Sequence, residues 1–275
     1  MLLTLAQTLQ RAQTLGLDRL DAQLLLLHAL GKPGVERAWL LAHDSDLLDD
    51  GSANAYQTLC LRRAAGEPLA YLVGYKEFFG LHFAVDARVL IPRPDTETLV
   101  QWAIDALQAS GVKCPSVLDL GTGSGAVAAA IASHTRCTVL AVDASADALA
   151  VAKANALQLG LPITFKQSDW FDGIKGHFEC IASNPPYIAR DDTHLADLKH
   201  EPLRALIAGS HGLDDLQTII RDAPDYLHKG GWLLLEHGYD QAEAVRNLLE
   251  QRGFVQVQGR NDLAGIARCS GGRWF

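Results

Sequence analysis

The chain has 275 residues, 48% of them hydrophobic, and a formal net charge of −8 at pH 7. It is long enough for one large domain, or for a large domain and a smaller one, with ample apolar content for their cores. The acidic charge disfavours tight, non-specific binding to nucleic acid, because phosphate backbones are bound by clusters of Lys and Arg. The sequence shows neither a signal peptide nor a membrane-spanning run of apolar residues, so we expect a cytoplasmic protein that does not bind membranes.

The first 75 residues are predicted to form a small bundle of helices. Leucine and alanine recur at helical spacing, and glycines such as Gly16 and Gly31 interrupt the pattern. Asp18 and Ser52 are predicted to cap the second and third helices. We assign residues 1–75 to an N-terminal helical domain.

The pattern changes at residues 77–86, where aromatic and β-branched residues flank Gly80 as in a short β-hairpin. We assign residues 76–92 to a hairpin linker and residues 93–275 to a second, larger domain. From Ser116 onward, short apolar runs alternate with helical ones, which predicts a mostly parallel sheet covered by helices on both faces. The last segment predicts two strands at an antiparallel edge. The expected fold class is therefore α/β, with a Rossmann-like sheet that a small N-terminal helical bundle precedes in the sequence.

A glycine-rich turn follows the first buried strand of the second domain. In VLDLGTGSGAVAAA, Gly121, Gly123 and Gly125 let the backbone approach a ligand, and the helix that follows offers unpaired N–H groups. The same letters satisfy the dinucleotide fingerprint. The glycines alone therefore leave NAD and other adenosine-containing cofactors open.

Two further strand ends carry side chains that suit a nucleoside. Asp143 follows the second strand, where a carboxylate can accept hydrogen bonds from both hydroxyls of a ribose. Its alternative role is to cap the next helix, which Ser145 can do equally well. Asp169 and Trp170 follow the third strand and are predicted to supply a polar contact and an aromatic wall for an adenine ring. Because the ends of parallel strands meet at one edge of a sheet, we expect these residues to line one crevice.

The segment IASNPPYIAR places two consecutive prolines directly after the fourth strand. Rigid prolines fix the directions of the Asn184 side chain and the Pro185 carbonyl, so that two acceptors can converge on one planar NH2 group while Tyr187 packs on its face. This arrangement suits an amide or an exocyclic amine as a nucleophile, because the main service a protein can give such a nitrogen is orientation. The alternative is a rigid turn without a chemical role.

Together, DLGTGSG and NPPY resemble the amino-methyltransferases that use S-adenosylmethionine, a group that includes DNA adenine, RNA guanine and protein glutamine methylases. The resemblance extends over nearly the whole chain through the segments LIPRPDTE, AVDAS, SDWF, LLLEHGYDQ and DLAGIAR. With these segments, the chain is most similar to the release factor glutamine methyltransferase family. The resemblance implies a class I methyltransferase sheet, S-adenosylmethionine as cofactor and S-adenosylhomocysteine as product. It also implies a peptide chain release factor as partner, with the glutamine of its GGQ motif as substrate.

The resemblance further implies two groups of site residues. The first would bind the cofactor and comprises Gly121, Thr122, Gly123, Ser124, Gly125, Asp143, Asp169, Trp170 and Asn184. The second would bind the substrate glutamine and comprises Asn184, Pro185, Pro186 and Tyr187. Of the second group, Asn184, Pro185 and Tyr187 are expected to act in catalysis, without a metal ion. In LIPRPDTE, we expect Arg93, Pro94 and Glu97 to close the site beside the methionine end of the cofactor.

Other functions remain open on the sequence alone. The chain could methylate an exocyclic amine of adenine or guanine in DNA or RNA, against which the acidic charge argues. It could be a non-catalytic module that keeps the cofactor fold, against which the complete set of site residues argues. A nicotinamide oxidoreductase would have no use for NPPY. We also expect residues 1–75 and the hairpin to dock the release factor, the alternative being that the bundle only covers the larger domain.

Overall fold

The first part of the chain is helical, and the second part has a central β-sheet with helices. The computed structural model describes residues 2–32 and 36–275, which divide into two units with the boundary between Tyr75 and Lys76. Every helix in the described residues is too short or too polar to span a lipid bilayer. The docking role of the first unit and the linker role of the hairpin remain predictions.

The described residues of the first unit form five α-helices around a leucine-rich core. They are α1 (Leu5–Thr14), α2 (Arg19–Ala29), α3 (Ala38–Ala42), α4 (Asp50–Ala64) and α5 (Leu69–Val73). Asp18 caps α2 as predicted, because its carboxylate accepts a hydrogen bond from the Leu20 backbone N–H at 2.7 Å. The predicted cap at Ser52 is wrong. Asp49 caps α4 instead, since its carboxylate accepts from the Ser52 N–H at 2.9 Å and thereby draws Ser52 into the first turn.

A two-stranded hairpin follows, with β1 (Tyr75–Phe78) and β2 (Leu81–Ala84). Phe79 and Gly80 connect the strands with φ angles of 51° and 76°, the left-handed pair that a two-residue hairpin turn requires. The larger unit then adds five helices. They are α6 (Glu97–Ala109), α7 (Ala126–His134), α8 (Ala146–Leu159), α9 (Asp214–Asp222) and α10 (Ala242–Arg252).

A seven-stranded sheet forms the centre of the larger unit. Its strands are β3 (Ser116–Leu120), β4 (Thr138–Asp143), β5 (Ile163–Gln167), β6 (Phe178–Ser183), β7 (Leu227–Glu236), β8 (Val255–Asn261) and β9 (Ala267–Arg273). Their spatial order is β5-β4-β3-β6-β7-β9-β8. The pairs from β5 to β7 are parallel, whereas β9 is antiparallel to both β7 and β8. This confirms the predicted α/β fold with an antiparallel C-terminal edge.

Alternating side chains bury both faces of this sheet. On one face, Leu118, Ile181 and Leu233 belong to a core cluster that also contains buried residues of α9 and α10. On the other face, Trp232 of β7 lies against Trp102 of α6, with 5.9 Å between ring centroids. Long apolar strands covered on both sides are what a parallel sheet requires.

From β3, the chain adds β4 and β5 on one side of the sheet and then crosses to add β6 and β7 on the other side. This change of side creates a topological switch point between β3 and β6. Leu120 and Ser183, the last residues of these two strands, are paired across the sheet. The Ser183 hydroxyl also donates a hydrogen bond to the Leu120 carbonyl at 2.8 Å. The next residues along the two strands are Gly121 and Asn184, so the glycine-rich turn and the NPPY motif emerge side by side. Ligands of open α/β sheets bind in the crevice at such a point.

Candidate active site

A cavity of about 230 Å³ lies at the carboxyl ends of the central strands. Its lining combines the three predicted strand-end motifs with NPPY. The predicted residues that line it are Gly121, Gly123, Asp143, Asp169, Trp170, Asn184 and Pro186. The structure therefore brings these residues together around one space, and the roles assigned to each of them remain predictions.

The glycine-rich turn forms one wall of this cavity. Gly121 and Gly123 have φ angles of 71° and 54°, which favour glycine over residues with a side chain. A Cβ atom on Gly121 would lie 3.5 Å from Cζ3 of Trp170. The indole ring therefore lies against the bare backbone of the turn.

The other residues of the turn contact neighbouring elements of the larger unit. The Thr122 hydroxyl donates to Oδ2 of Asp119 at 2.6 Å, and the Ser124 carbonyl accepts from the Asn155 amide at 2.9 Å. A Cβ atom on Gly125 would lie 3.1 Å from Cβ of Ala152, so this glycine permits close packing of α7 on α8. Contacts of Thr122, Ser124 and Gly125 with a cofactor remain predictions.

Asp143 holds the turn in place while it lines the cavity. Its Oδ2 accepts from the Gly123 N–H at 2.9 Å, and its Oδ1 accepts from the Ser145 N–H at 2.9 Å. Ser145 is the cap of α8, because its hydroxyl oxygen accepts from the Ala148 N–H at 3.1 Å. Asp143 is therefore not the helix cap. Each carboxylate oxygen has a further lone pair with which to accept from a ribose hydroxyl.

Trp170 adopts a backbone conformation that bulky residues rarely adopt. Its φ angle is 46°, and the Ser168 hydroxyl secures it by donating to the Trp170 carbonyl at 2.8 Å. Asp215 lines the same cavity, and burial raises the pKa of its carboxyl. Strain of this kind persists where the surroundings enforce it, typically at functional sites. The ring is thus held in one orientation over Gly121.

The NPPY motif also lines a second, smaller cavity. The second cavity has a volume of about 90 Å³, and its lining includes Asn184, Tyr187 and Arg93. Asn184 lines both cavities. Its Nδ2 donates to the Thr96 hydroxyl oxygen at 3.2 Å, which makes Oδ1 the acceptor that the side chain can offer a ligand. Pro185 is buried within the motif.

Several residues of the site were not predicted from the sequence. Glu201 is buried, and its carboxylate accepts from the Ile91 N–H at 3.1 Å and from the Arg93 guanidinium. Arg204 lines the larger cavity and donates to the Ser145 hydroxyl oxygen. Both belong to the loop after NPPY, which lacks the regular periodicity that could have located them.

The expected closing motif before α6 has two different partners. Arg93 pairs with Glu201, as described above, whereas Oε1 of Glu97 accepts from the Phe79 N–H at 3.0 Å in the hairpin turn. Their predicted position beside the methionine end of a cofactor remains a prediction, as does that of Pro94. Within residues 2–32 and 36–275, no group of three or more His, Cys, Asp or Glu side chains is arranged to hold a metal ion.

Comparison with known proteins decides the family. The family model described as "PrmC N-terminal domain" matches residues 1–74, and the one described as "Methyltransferase small domain" matches residues 100–258. The release factor glutamine methyltransferase of Bordetella pertussis is 50% identical over 262 residues, which cover 94% of this chain and 95% of that protein. The chain belongs to the release factor glutamine methyltransferase family. The resemblance that the sequence motifs indicated is thereby confirmed.

Two further comparisons concern another relative and a solved structure. The family member from Burkholderia pseudomallei is 49% identical over 268 residues, covering 94% of this chain and 92% of that protein. A Thermus thermophilus 16S rRNA methyltransferase, solved in complex with AdoMet and guanosine, superposes with a TM-score of 0.54 at 19% identity, covering 73% of this chain and 50% of that one. That likeness concerns the fold alone.

Proposed function

We propose that this protein transfers the methyl group of S-adenosylmethionine to the side-chain amide nitrogen of the glutamine in the GGQ motif of peptide chain release factors. The observation that carries the proposal is the position of Asn184, which lines both the larger cavity and the smaller one. A methyl donor in the first and an amide in the second would meet at this side chain. Membership of the release factor glutamine methyltransferase family supports the same substrate.

The residues of the larger cavity fit S-adenosylmethionine. Asp143 offers acceptors for a ribose, the Trp170 ring offers a surface for an adenine, and the bare turn at Gly121 and Gly123 leaves room for the rest of the molecule. When bound, this cofactor supplies an electrophilic methyl group on a sulfonium sulfur. Asn184 belongs to both this cavity and the NPPY motif. A nicotinamide-dependent enzyme would have no use for its side chain, which argues against NAD as the cofactor.

The polar atoms of NPPY then act by orientation. Oδ1 of Asn184 accepts one N–H of the substrate amide and holds its nitrogen toward the larger cavity. Positive charge develops on that nitrogen as the new bond forms, and an acceptor already in place stabilises the charge. The nitrogen gives up one proton to solvent after the attack, and the donor sulfur would keep the electron pair of its broken bond to the methyl group, which leaves S-adenosylhomocysteine. Transfer is direct, without a covalent bond to the enzyme.

The charge of the chain favours a protein substrate over a nucleic acid. The net charge of −8 gives the chain no broad electrostatic attraction to phosphate backbones.

The proposal is tested by methyl transfer from labelled S-adenosylmethionine. The purified release factor is compared with its GGQ Gln→Ala variant and with unmodified DNA and RNA. We expect label on the wild-type factor alone. We also expect Asn184→Ala to lower kcat by about 10²- to 10³-fold, the usual loss for a preorganised hydrogen-bonding group that acts on developing charge. Asn247→Ala, at an exposed asparagine of α10, should leave the rate unchanged.

The other outcomes separate the alternatives. Label on nucleic acid alone would transfer the substrate assignment to adenine or guanine and leave the cofactor site standing. An absence of label on every substrate, with bound cofactor detected by calorimetry, would favour a non-catalytic module.

A further inference from the structure

The loop that follows NPPY lines both cavities and is closed at its base. Ile188 and Ile207 form a parallel bridge, and the Ile188 N–H donates to the Leu206 carbonyl at 2.9 Å. Residues 189–206 therefore form one lobe that starts directly after the substrate motif and returns to it. Ala205, in this lobe, lines both the larger cavity and the smaller one.

A buried carboxylate, Glu201, joins this loop to the segment before α6. Glu201 is only 6% exposed. Its Oε2 accepts from the Ile91 backbone N–H at 3.1 Å, and its Oε1 accepts from Nη2 of Arg93. Leu90 and Arg93, in the segment before α6, line the smaller cavity together with Ala205 of the loop. The carboxylate therefore links two segments that both contribute to the wall of this cavity.

Arg93 brings a positive charge to the smaller cavity. Among the described residues that line this cavity, Arg93 is the one with a charged side chain, and that side chain remains 36% exposed, so a ligand can reach it. Asp95, two residues further along, pairs with Arg268 at 3.1 Å. In the described part of the chain, the ion-pair partner of Arg93 is Glu201. Glu201 is not itself a lining residue, so it acts on the cavity through Arg93.

The charge of this ion pair decides which planar group the cavity accepts. A free guanidinium attracts a carboxylate strongly, because its N–H groups match the two carboxylate oxygens. A guanidinium that is already paired with Glu201 offers N–H groups without net charge, which suits the carbonyl oxygen of a neutral amide. A carboxylate ligand would have to share one cation with a second, buried carboxylate, and like charges repel. Glutamine and glutamate have nearly the same shape, so charge is the property by which a protein can distinguish them.

We propose that Glu201 is a positioning residue that makes the smaller cavity specific for an amide over a carboxylate. By pairing with Arg93, it holds the guanidinium at the cavity wall and cancels its charge, so that a glutamine side chain is accepted and a glutamate side chain is rejected. The identity of the amide as the glutamine of a release factor rests on the proposed function. The charge preference itself belongs to the cavity, and small amides and acids can measure it.

The first test compares two release factors that differ in one group, the factor with its GGQ motif and the Gln→Glu variant of that motif. Calorimetry with enzyme saturated with S-adenosylhomocysteine gives a Kd for each factor, and the readout is the ratio of the two Kd values. Glu201→Gln keeps a carbonyl oxygen that can accept a hydrogen bond but removes the negative charge. We expect it to shift the ratio toward the Gln→Glu factor by about 10- to 100-fold, the usual value of a hydrogen bond between charged groups. The partial exposure of Arg93 favours the lower end of this range.

Three matched variants separate charge from structure. Glu250→Gln removes one negative charge at an exposed position of α10, and should leave the ratio unchanged. Arg93→Gln leaves the buried carboxylate without its cation, and should shift the ratio in the opposite direction, away from the Gln→Glu factor. The double variant of Glu201→Gln and Arg93→Gln removes both charges, and should return the ratio to within about threefold of the wild-type value. A residue that only fastened the loop would weaken the binding of both factors alike, and the second substitution would restore nothing.

A second readout does not depend on the release factor. Propionamide and propionate carry the same two planar groups as the side chains of glutamine and glutamate. Their binding at constant ionic strength can be followed through the side-chain NH2 signals of Asn184, assigned in a ¹⁵N–¹H spectrum by their loss in Asn184→Ala. We expect the wild type to prefer propionamide, and Glu201→Gln to shift the preference toward propionate by about tenfold.

The outcomes distinguish this proposal from the proposed function. An unchanged preference in Glu201→Gln, in either experiment, would overturn the positioning role even if the wild-type enzyme methylates the release factor. Equal losses for the amide and the carboxylate, together with a lower Tm, would also overturn it, because they would indicate a purely structural acid. A shift toward propionate in a protein that labels no release factor would support the charge preference and refute only the proposed function.

Discussion

Asp119 offers a sharp test of the electrostatics beneath the glycine-rich turn. It is buried on β3, and its Oδ2 accepts a hydrogen bond from the Thr122 hydroxyl at 2.6 Å. Burial raises its pKa from 3.8 to about 7, in spite of that hydrogen bond. Between these values the folded protein holds a proton that the unfolded chain has lost. The contribution of Asp119 to the free energy of unfolding is therefore fully present below pH 3.8, and is lost as the pH rises through about 7.

The expected size of the effect follows from the two pKa values. One unit of pKa corresponds to about 1.4 kcal/mol, and the window from pH 5 to pH 8 covers about two units of this difference. The free energy of unfolding should therefore fall by about 2.5 kcal/mol over that window because of Asp119 alone. Asp119→Asn does not ionise and should lack this decrease. The cost of burying the new amide is the same at every pH, so it cancels from the comparison.

Urea unfolding at several pH values measures this difference. Tryptophan fluorescence reports the correct unit, since all but one of the five tryptophans lie in Lys76–Phe275. Asp225→Asn, at an exposed aspartate, is the control and should follow the wild type. If Asp119→Asn shows the same pH dependence as the wild type, to within about 0.5 kcal/mol, then Asp119 is ionised in the folded protein and the reasoning fails.

Substitutions at Gly125 and Trp170 test the packing behind the glycine-rich turn and one wall of the larger cavity. Gly125→Ala should lower the free energy of unfolding by about 2–4 kcal/mol, because the residue has a left-handed backbone and its Cβ would press on Ala152. Gly160→Ala, with a similar backbone but open space, should cost only about 1–2 kcal/mol in the same urea experiment, and equal losses would contradict the packing argument. Trp170→Ala should weaken S-adenosylmethionine binding by calorimetry about 10- to 100-fold, the value of one stacked base, whereas Trp170→Phe should recover most of it. An unchanged Kd in Trp170→Ala would remove the adenine role.

The fold and the larger cavity could be predicted because their signals are local. Each motif directly follows an apolar strand, and parallel topology brings the strand ends together without further information. The error at the start of α4 shows where local signals fail. Asp49 and Ser52 are both good capping residues, and their order along the chain does not say which one begins the helix. Only the hydrogen bond from the Ser52 N–H to Asp49 shows that Asp49 is the cap of α4.

The residues that hold the motifs in place could not be predicted in the same way. Asn184 is 88 residues from Thr96 in the sequence, and Arg93 is 108 residues from Glu201. Such pairs have no periodicity, because each joins the segment before α6 to a loop that follows β6.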